Sequence, residues 1–312
     1  MLFTWITIFI VSLIALVKSC DWLLENAEKI GWSLGLSPFI IGVTILAIGT
    51  SLPELASALF AVFNNVTEVV VANAVGSNIA NILLVIGVTV IVARKLHVTK
   101  DLIDLDLPLV ALSTALLYIV IQDAKVTLIE ACILLFAYVS YVVFSFITKE
   151  KEYIEEPEKE EYKQAGKKEY IFLILGMIGL AVSASYLIKS VIELSTLLNI
   201  APSLISITAI SFGTSLPELL VSVRAALAGK SEAALGNIFG SNVFNVLGVV
   251  GIPGLFATLH VDSQTMTIGI MFVVLATILF VISGISRKIH MQEGIFYLCL
   301  YILFIGKLFD FF

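Results

Sequence analysis

The sequence predicts an all-α membrane protein of ten transmembrane helices, arranged as two inverted five-helix repeats with broken helices 2 and 7. Three observations carry that prediction. The 312 residues are 59% hydrophobic and 13% charged, with a mean hydropathy of +1.06, whereas a soluble domain holds about 25% charged residues. The segment Gly49-Thr50-Ser51-Leu52-Pro53-Glu54-Leu55 recurs unchanged, 164 residues later, as Gly213-Thr214-Ser215-Leu216-Pro217-Glu218-Leu219. At the same offset Gly76-Ser77-Asn78-Ile79-Ala80-Asn81 returns as Gly240-Ser241-Asn242-Val243-Phe244-Asn245, and Pro38 pairs with Pro202, Asn73 with Asn237 and Gly87 with Gly251. A register held over about fifty residues marks a duplicated half.

About 20 consecutive apolar residues cross the hydrocarbon of a bilayer. On that measure the first half holds spans at roughly 2–19, 38–63, 69–92, 105–121 and 126–147. The second half holds spans at roughly 170–189, 202–227, 233–255, 265–284 and 293–310. Asp21 and Glu25 end the first span, Asp104 and Asp106 start the fourth and Glu130 opens the fifth, which are interface positions. Between the halves, residues 149–169 carry eight acidic and six basic side chains in 21 positions and cannot enter lipid. The organisation is therefore a first repeat over 1–148 (motifs 42–63 and 73–87), a charged linker over 149–169, and a second repeat over 170–312 (motifs 206–227 and 237–251).

An odd number of spans per half inverts the second half relative to the first. With the N-terminus outside, Lys18, Lys29, Arg94, Lys95, Lys100, six linker lysines, Arg224, Lys230, Arg287 and Lys288 all fall in the cytoplasm, 15 of the 18 basic residues. Only Lys125, Lys189 and Lys307 fall outside. This asymmetry places both termini outside and the linker in the cytoplasm. No basic face suggests nucleic acid. Cys20, Cys132 and Cys299 are isolated in or beside apolar spans and read as structural. Residues 2–19 read as a full-length span rather than a cleaved signal.

The repeated motifs carry the chemistry. Proline lacks an N–H and frees the carbonyl four residues earlier, here Gly49 and Gly213. Free carbonyls at bilayer depth are tolerated where they line a cavity, and discontinuous helices at matching positions of two inverted halves point to a midplane ion site. Thr50 and Glu54, and Thr214 and Glu218, are four apart and share a helical face, as do Ser77 with Asn81 and Ser241 with Asn245. All of these groups offer oxygen, the donor that hard cations such as Ca²⁺ and Na⁺ prefer, whereas Zn²⁺ or Cu⁺ calls for His or Cys. His97, His260 and His290 lie at span ends, and the Leu-His-Val triplets at 96–98 and 259–261 read as duplicated helix-end features.

An ionised carboxylate at the membrane centre costs at least ~2.5 kcal/mol. Neither Glu54 nor Glu218 has a Lys or Arg within its own span positioned to neutralise it, so both call for a cation. One Ca²⁺ or two Na⁺ would balance the pair, and exchanging three Na⁺ for one Ca²⁺ would move net charge. Ser51, Ser215, Asn78 and Asn242 serve equally as interhelical packing groups. Asn73 and Asn237, near Gly76 and Gly240, read as close-packing and backbone-bonding positions.

At these residues the chain resembles the sodium/calcium exchanger branch of the cation/Ca²⁺ exchanger superfamily, over nearly its whole length. The GTSLPE and GSN-x-x-N pair, occurring twice around a charged linker, is similar to that family's two α-repeats. The resemblance implies a ligand set of Thr50, Ser51, Glu54, Ser77 and Asn81 with the Ala47 carbonyl, and Thr214, Ser215, Glu218, Ser241 and Asn245 with the Ser211 carbonyl. It also implies four clustered cation sites and a cycle in which spans 1 and 6 slide against the other eight. Some members carry Asp where this chain has Asn245, so only Glu54 and Glu218 titrate here, which argues against proton coupling through that position and against potassium co-transport.

The leading expectation is a Na⁺/Ca²⁺ antiporter of a prokaryotic inner membrane, monomeric, needing no cofactor, with Ca²⁺ and Na⁺ as its substrates in a lipid bilayer. The alternative is H⁺/Ca²⁺ exchange on the same two glutamates, and a cation channel is a weaker one. An intramembrane hydrolase is disfavoured because Ser51 and Ser77 have no His or Lys base at comparable depth.

Overall fold

The structure is a computed structural model that describes residues 2–98, 106–153, 164–197, 215–309 and 311. Its helices are α1 (Leu2–Ser33), α2 (Pro38–Phe63), α3 (Glu68–Ala93), α4 (Leu107–Val120), α5 (Leu128–Tyr153), α6 (Lys167–Leu197), α7 (Leu216–Leu227), α8 (Ser231–Gly254), α9 (Thr265–Ile285) and α10 (Met291–Leu308). Eight of them are long and apolar enough to cross a membrane; α4 and α7 are shorter. The start of the expected fourth span, the middle of the linker and the expected seventh span up to residue 214 lie outside the described residues.

The first helix runs well past the expected end at residue 19. At 32 residues it is ~48 Å long, against a hydrocarbon thickness of ~30 Å. Charge does not stop it, because tertiary partners meet its acidic residues. Arg224 of α7 donates to Asp21, Lys230 lies 2.6 Å from Glu28, and Lys29 lies 2.6 Å from Glu25 within the helix. Of these pairs, Glu28 is the sheltered one, its side chain 10% exposed against 62% for Glu25. Lys230→Met should therefore lower stability by ~2 kcal/mol or more, since it strands a mostly buried carboxylate, while Lys29→Met should cost under ~0.5 kcal/mol. Thermal unfolding of the purified variants checks this; equal melting temperatures would contradict it.

Packing is graded from centre to periphery. In the most apolar stretch of α8, 94% of residues are buried, against 17% in α1. Small residues allow α8 to sit so deeply. A Cβ added at Gly236 would lie 2.6 Å from the Phe39 carbonyl oxygen, and one at Gly240 would lie 2.3 Å from the Val43 carbonyl oxygen. Helix α2 therefore crosses α8 backbone to backbone. At the rim, α6 packs on α1 by the same means, with Gly176 against the Leu23 backbone and Gly179 against Ser19.

Contacts between equivalent residues locate the symmetry axis. Asn78 Nδ2 donates to the Asn242 carbonyl at 3.0 Å, and the Thr114 and Thr277 hydroxyls meet at 3.3 Å. A residue that touches its own repeat equivalent sits beside a pseudo-two-fold axis. Two short ladders, absent from an all-α expectation, obey the same relation: β1 (Lys95–His97) pairs with β4 (Lys288–His290), and β2 (Lys125–Val126) with β3 (Leu259–His260). The pairing Leu96↔Ile289 maps onto Leu259↔Val126 when each number is shifted by the 163 residues that separate the two Leu-His-Val triplets. The ladders occupy opposite ends of α3: β1 follows its C-terminus, while the backbone N–H of His260 in β3 donates to Thr67 Oγ1 (3.4 Å), just before the N-terminus of α3. Twenty-six helical residues, ~39 Å, separate those ends. The halves are thus inverted across the membrane.

The helical irregularities are not all where proline predicts them. α2 remains helical through Pro53 and widens earlier, in a π turn over Gly42–Leu46. A complete break would leave up to four N–H and four C=O groups unsatisfied at each new end, whereas an uninterrupted helix loses one bond at the proline. Pro217 falls in the first turn of α7, where no intrahelical N–H is required. Further π turns occupy Ala80–Ile86 in α3 and Phe244–Val249 in α8, at equivalent positions and without proline.

Candidate cation-binding site

The π turns and the α2–α8 crossing place the duplicated motifs face to face. α2 supplies Ala47, Thr50, Ser51 and Glu54; α3 supplies Ser77 and Asn81; Ser215 immediately precedes α7, which carries Glu218; α8 supplies Ser241 and Asn245. These ten residues are each at most 3% exposed. Ser211 and Thr214 lie outside the described residues.

Hydrogen bonds tie the two repeats together here. Ser51 Oγ donates to Glu218 Oε1 at 2.9 Å, and the Thr50 and Ser241 hydroxyls lie 3.4 Å apart. Thr50 Oγ1 is also 3.2 Å from the Ala47 carbonyl oxygen. Glu54 and Glu218 lie within coulombic range of each other. Ser77 and Ser215 line one cavity of about 410 Å³, whose wall extends to Asp262 and Gln264 at the start of α9. Asn81 and Asn245 sit in the paired π turns and make no hydrogen bond through their amides.

The unsatisfied atoms define the site's chemistry. Both carboxylate oxygens of Glu54, Glu218 Oε2, Ser215 Oγ and both amide atoms of Asn81 and Asn245 are buried without a hydrogen-bond partner among the described residues. A buried polar group left unpaired costs ~1–3 kcal/mol, and a charged one costs more. A cation with several oxygen ligands is the partner that would satisfy the oxygens together. Among the described residues no three His, Cys, Asp or Glu side chains cluster, so a cation here would meet neutral oxygens beside the two carboxylates.

Two residues outside the expected ligand set join the network. Asn237, read from the sequence as a packing position, receives the Thr50 hydroxyl at Oδ1 (3.3 Å) and donates from Nδ2 to Ser222 Oγ (3.0 Å). Ser222 was not marked by the repeated motifs, because its equivalent in the first repeat is Ala58. Asn78 and Asn242 keep a structural part at the axis, each with its amide nitrogen bonded to a backbone carbonyl.

Comparison with known proteins adds to this geometry. The family described as sodium/calcium exchanger protein matches residues 4–147 and 168–309. Sodium/calcium exchanger MaX1 of Methanosarcina acetivorans is 30% identical, with 97% of each chain covered, and inner membrane protein YrbG of Escherichia coli is 32% identical over 92% of this chain and 91% of its own. The solved structure of the sodium-calcium exchanger NCX_Mj, soaked with Na⁺ and Sr²⁺, superposes with a TM-score of 0.81 at 29% identity, covering 97% of this chain and 98% of that one.

Proposed function

Since the chain belongs to the sodium/calcium exchanger protein family, and is thereby a multi-pass membrane exchanger of Ca²⁺ against another cation, we propose that the other cation is Na⁺ and that both ions use the oxygens around Glu54 and Glu218. One observation carries this reading: among the described residues, three of the four carboxylate oxygens are buried with no hydrogen bond, amid neutral oxygens from both repeats. Na⁺ and Ca²⁺ share a preference for such donors. Ions that need the same oxygens exclude one another, so alternating access makes one flux depend on the other. The full ligand set in this reading is Ala47, Thr50, Ser51, Glu54, Ser77, Asn81, Ser211, Thr214, Ser215, Glu218, Ser241 and Asn245.

The direction proposed is extrusion of Ca²⁺ driven by inward Na⁺. Two carboxylates match one Ca²⁺ or two Na⁺; with three Na⁺ exchanged for one Ca²⁺, each cycle moves one charge, worth about 2.3 kcal/mol per 100 mV. The orientation proposed is both termini outside and the 149–169 linker in the cytoplasm, which sets the cavity between Ser77 and Asp262 on the outer side as the approach to the site.

Proteoliposomes loaded with Na⁺ and diluted into Na⁺-free medium should accumulate Ca²⁺, and dissipating the Na⁺ gradient should stop the uptake. Uptake that persists without Na⁺ and follows an imposed pH gradient would replace this reading with H⁺/Ca²⁺ exchange. Uncoupled conductance would point to a channel.

A further inference from the structure

The two repeats are identical in their motifs but not in what holds those motifs. Asn237 on α8 is fully buried and bridges α7 to α2. Its Nδ2 faces Ser222 Oγ at 3.0 Å and, more loosely, the Glu218 carbonyl oxygen at 3.5 Å. A backbone carbonyl can only accept, so the amide nitrogen must lie on that side and the amide oxygen must face Thr50. That oxygen can likewise only accept. The Thr50 hydroxyl, 3.3 Å away, is therefore the donor.

The direction of that one proton bears on the cation site. A hydroxyl that donates to Asn237 keeps its lone pairs for a cation. The same proton has competing acceptors in the Ala47 carbonyl oxygen at 3.2 Å, Ser241 Oγ at 3.4 Å and the Glu218 carboxylate, and giving it to Asn237 leaves those oxygens free as well.

Thr214, the equivalent of Thr50, lies outside the described residues, and among the described residues the first repeat lacks the Ser222 half of this arrangement. There Asn73 replaces Asn237, and Ala58, with no hydroxyl, replaces Ser222. Asn73 Nδ2 is correspondingly without a partner. The carboxylates differ in the same sense, because Glu218 receives the Ser51 hydroxyl while neither oxygen of Glu54 is bonded.

We propose that Asn237, held by Ser222, is a positioning residue that takes the Thr50 proton and so turns the Thr50 and Ala47 oxygens toward the transported cation. The Thr50 and Ala47 oxygens are in consequence set before an ion arrives. This inference rests on the exchanger reading above and adds a residue that touches no ion.

The test is calorimetric titration of Ca²⁺ into purified full-length protein in Na⁺-free detergent solution, paired with Ca²⁺ uptake by proteoliposomes. Asn237→Ala should raise the dissociation constant about ten-fold, Ser222→Ala about three-fold, and Ser222→Cys, which keeps a weak acceptor of similar size, by less than Ser222→Ala. The Ca²⁺ concentration for half-maximal uptake should rise in proportion while the maximal rate stays within about two-fold of the parent. The Ser222 variants keep the test decisive if Asn237→Ala does not fold. Ser222→Ala with parental Ca²⁺ affinity overturns the proposal alone, as does a fall in maximal rate at unchanged affinity, the mark of a merely structural role. A parent protein that neither binds nor exchanges Ca²⁺ overturns the exchanger reading and this inference together.

Discussion

Glu54→Gln and Glu218→Gln are each expected to cut Na⁺-dependent Ca²⁺ uptake by at least about a hundred-fold. Each variant keeps the side chain's shape and removes half of the negative charge available to a divalent ion. Loss of one partner from a buried, paired charge costs about 3–5 kcal/mol, and 1.4 kcal/mol is a factor of ten. The fold should survive, because glutamine at 218 still offers an oxygen to the Ser51 hydroxyl, and Glu54 makes no hydrogen bond to lose. Thermal unfolding separates this account from simple damage. Without ions both variants should melt at or above the parent temperature, since an unbalanced buried carboxylate is gone. Added Ca²⁺ should raise the melting temperature of the parent and leave both variants unmoved. Full transport in either variant would remove that glutamate from the mechanism.

Gly240→Leu should prevent assembly of the protein, and Gly240→Ala should cost at least about 2 kcal/mol. The obstruction is backbone: a Cβ at position 240 would lie 2.3 Å from the Val43 oxygen, 2.7 Å from Val43 Cα and 2.6 Å from Ala47 Cβ. No rotamer change relieves such contacts, so α2 and α8 must separate. Those two helices carry Thr50, Ser51 and Glu54 on one side and Asn237, Ser241 and Asn245 on the other. Gly240→Ala should thus lose Ca²⁺ affinity as well as stability. Size-exclusion profiles, melting temperatures and Ca²⁺ titrations read the effects; a Gly240→Leu protein that is monodisperse and melts like the parent would show that the crossing is not this close.

Much of the site is visible in the sequence because duplication leaves a pattern that no packing knowledge is needed to detect. Thr50, Ser51 and Glu54 recur with fixed spacing in an apolar setting, and an acid there requires an explanation. Asn237 carries the same duplication mark yet looks like a packing residue, since its role depends on Ser222 and Thr50, each on a different helix. Ser222 leaves no such mark because its equivalent is alanine. The ladder strands are too short for any two-residue periodicity to appear, and their partners are distant in sequence. The length of α1 is hidden for a related reason: Asp21 and Glu25 look like span terminators, and only the fold brings Arg224 and Lys230, some two hundred residues on, to Asp21 and to Glu28 one turn beyond.

By itself, the sequence determined that this is a duplicated, all-helical membrane protein with two acids at equivalent depth among oxygen donors, since hydropathy, repetition and charge are properties of the chain read in order. Tertiary structure alone decided where the helices widen, how closely α2 and α8 cross, and which polar groups surround the Thr50 hydroxyl. Those depend on backbone carbonyls and amides meeting across helices, where a few tenths of an ångström separate a hydrogen bond from a clash.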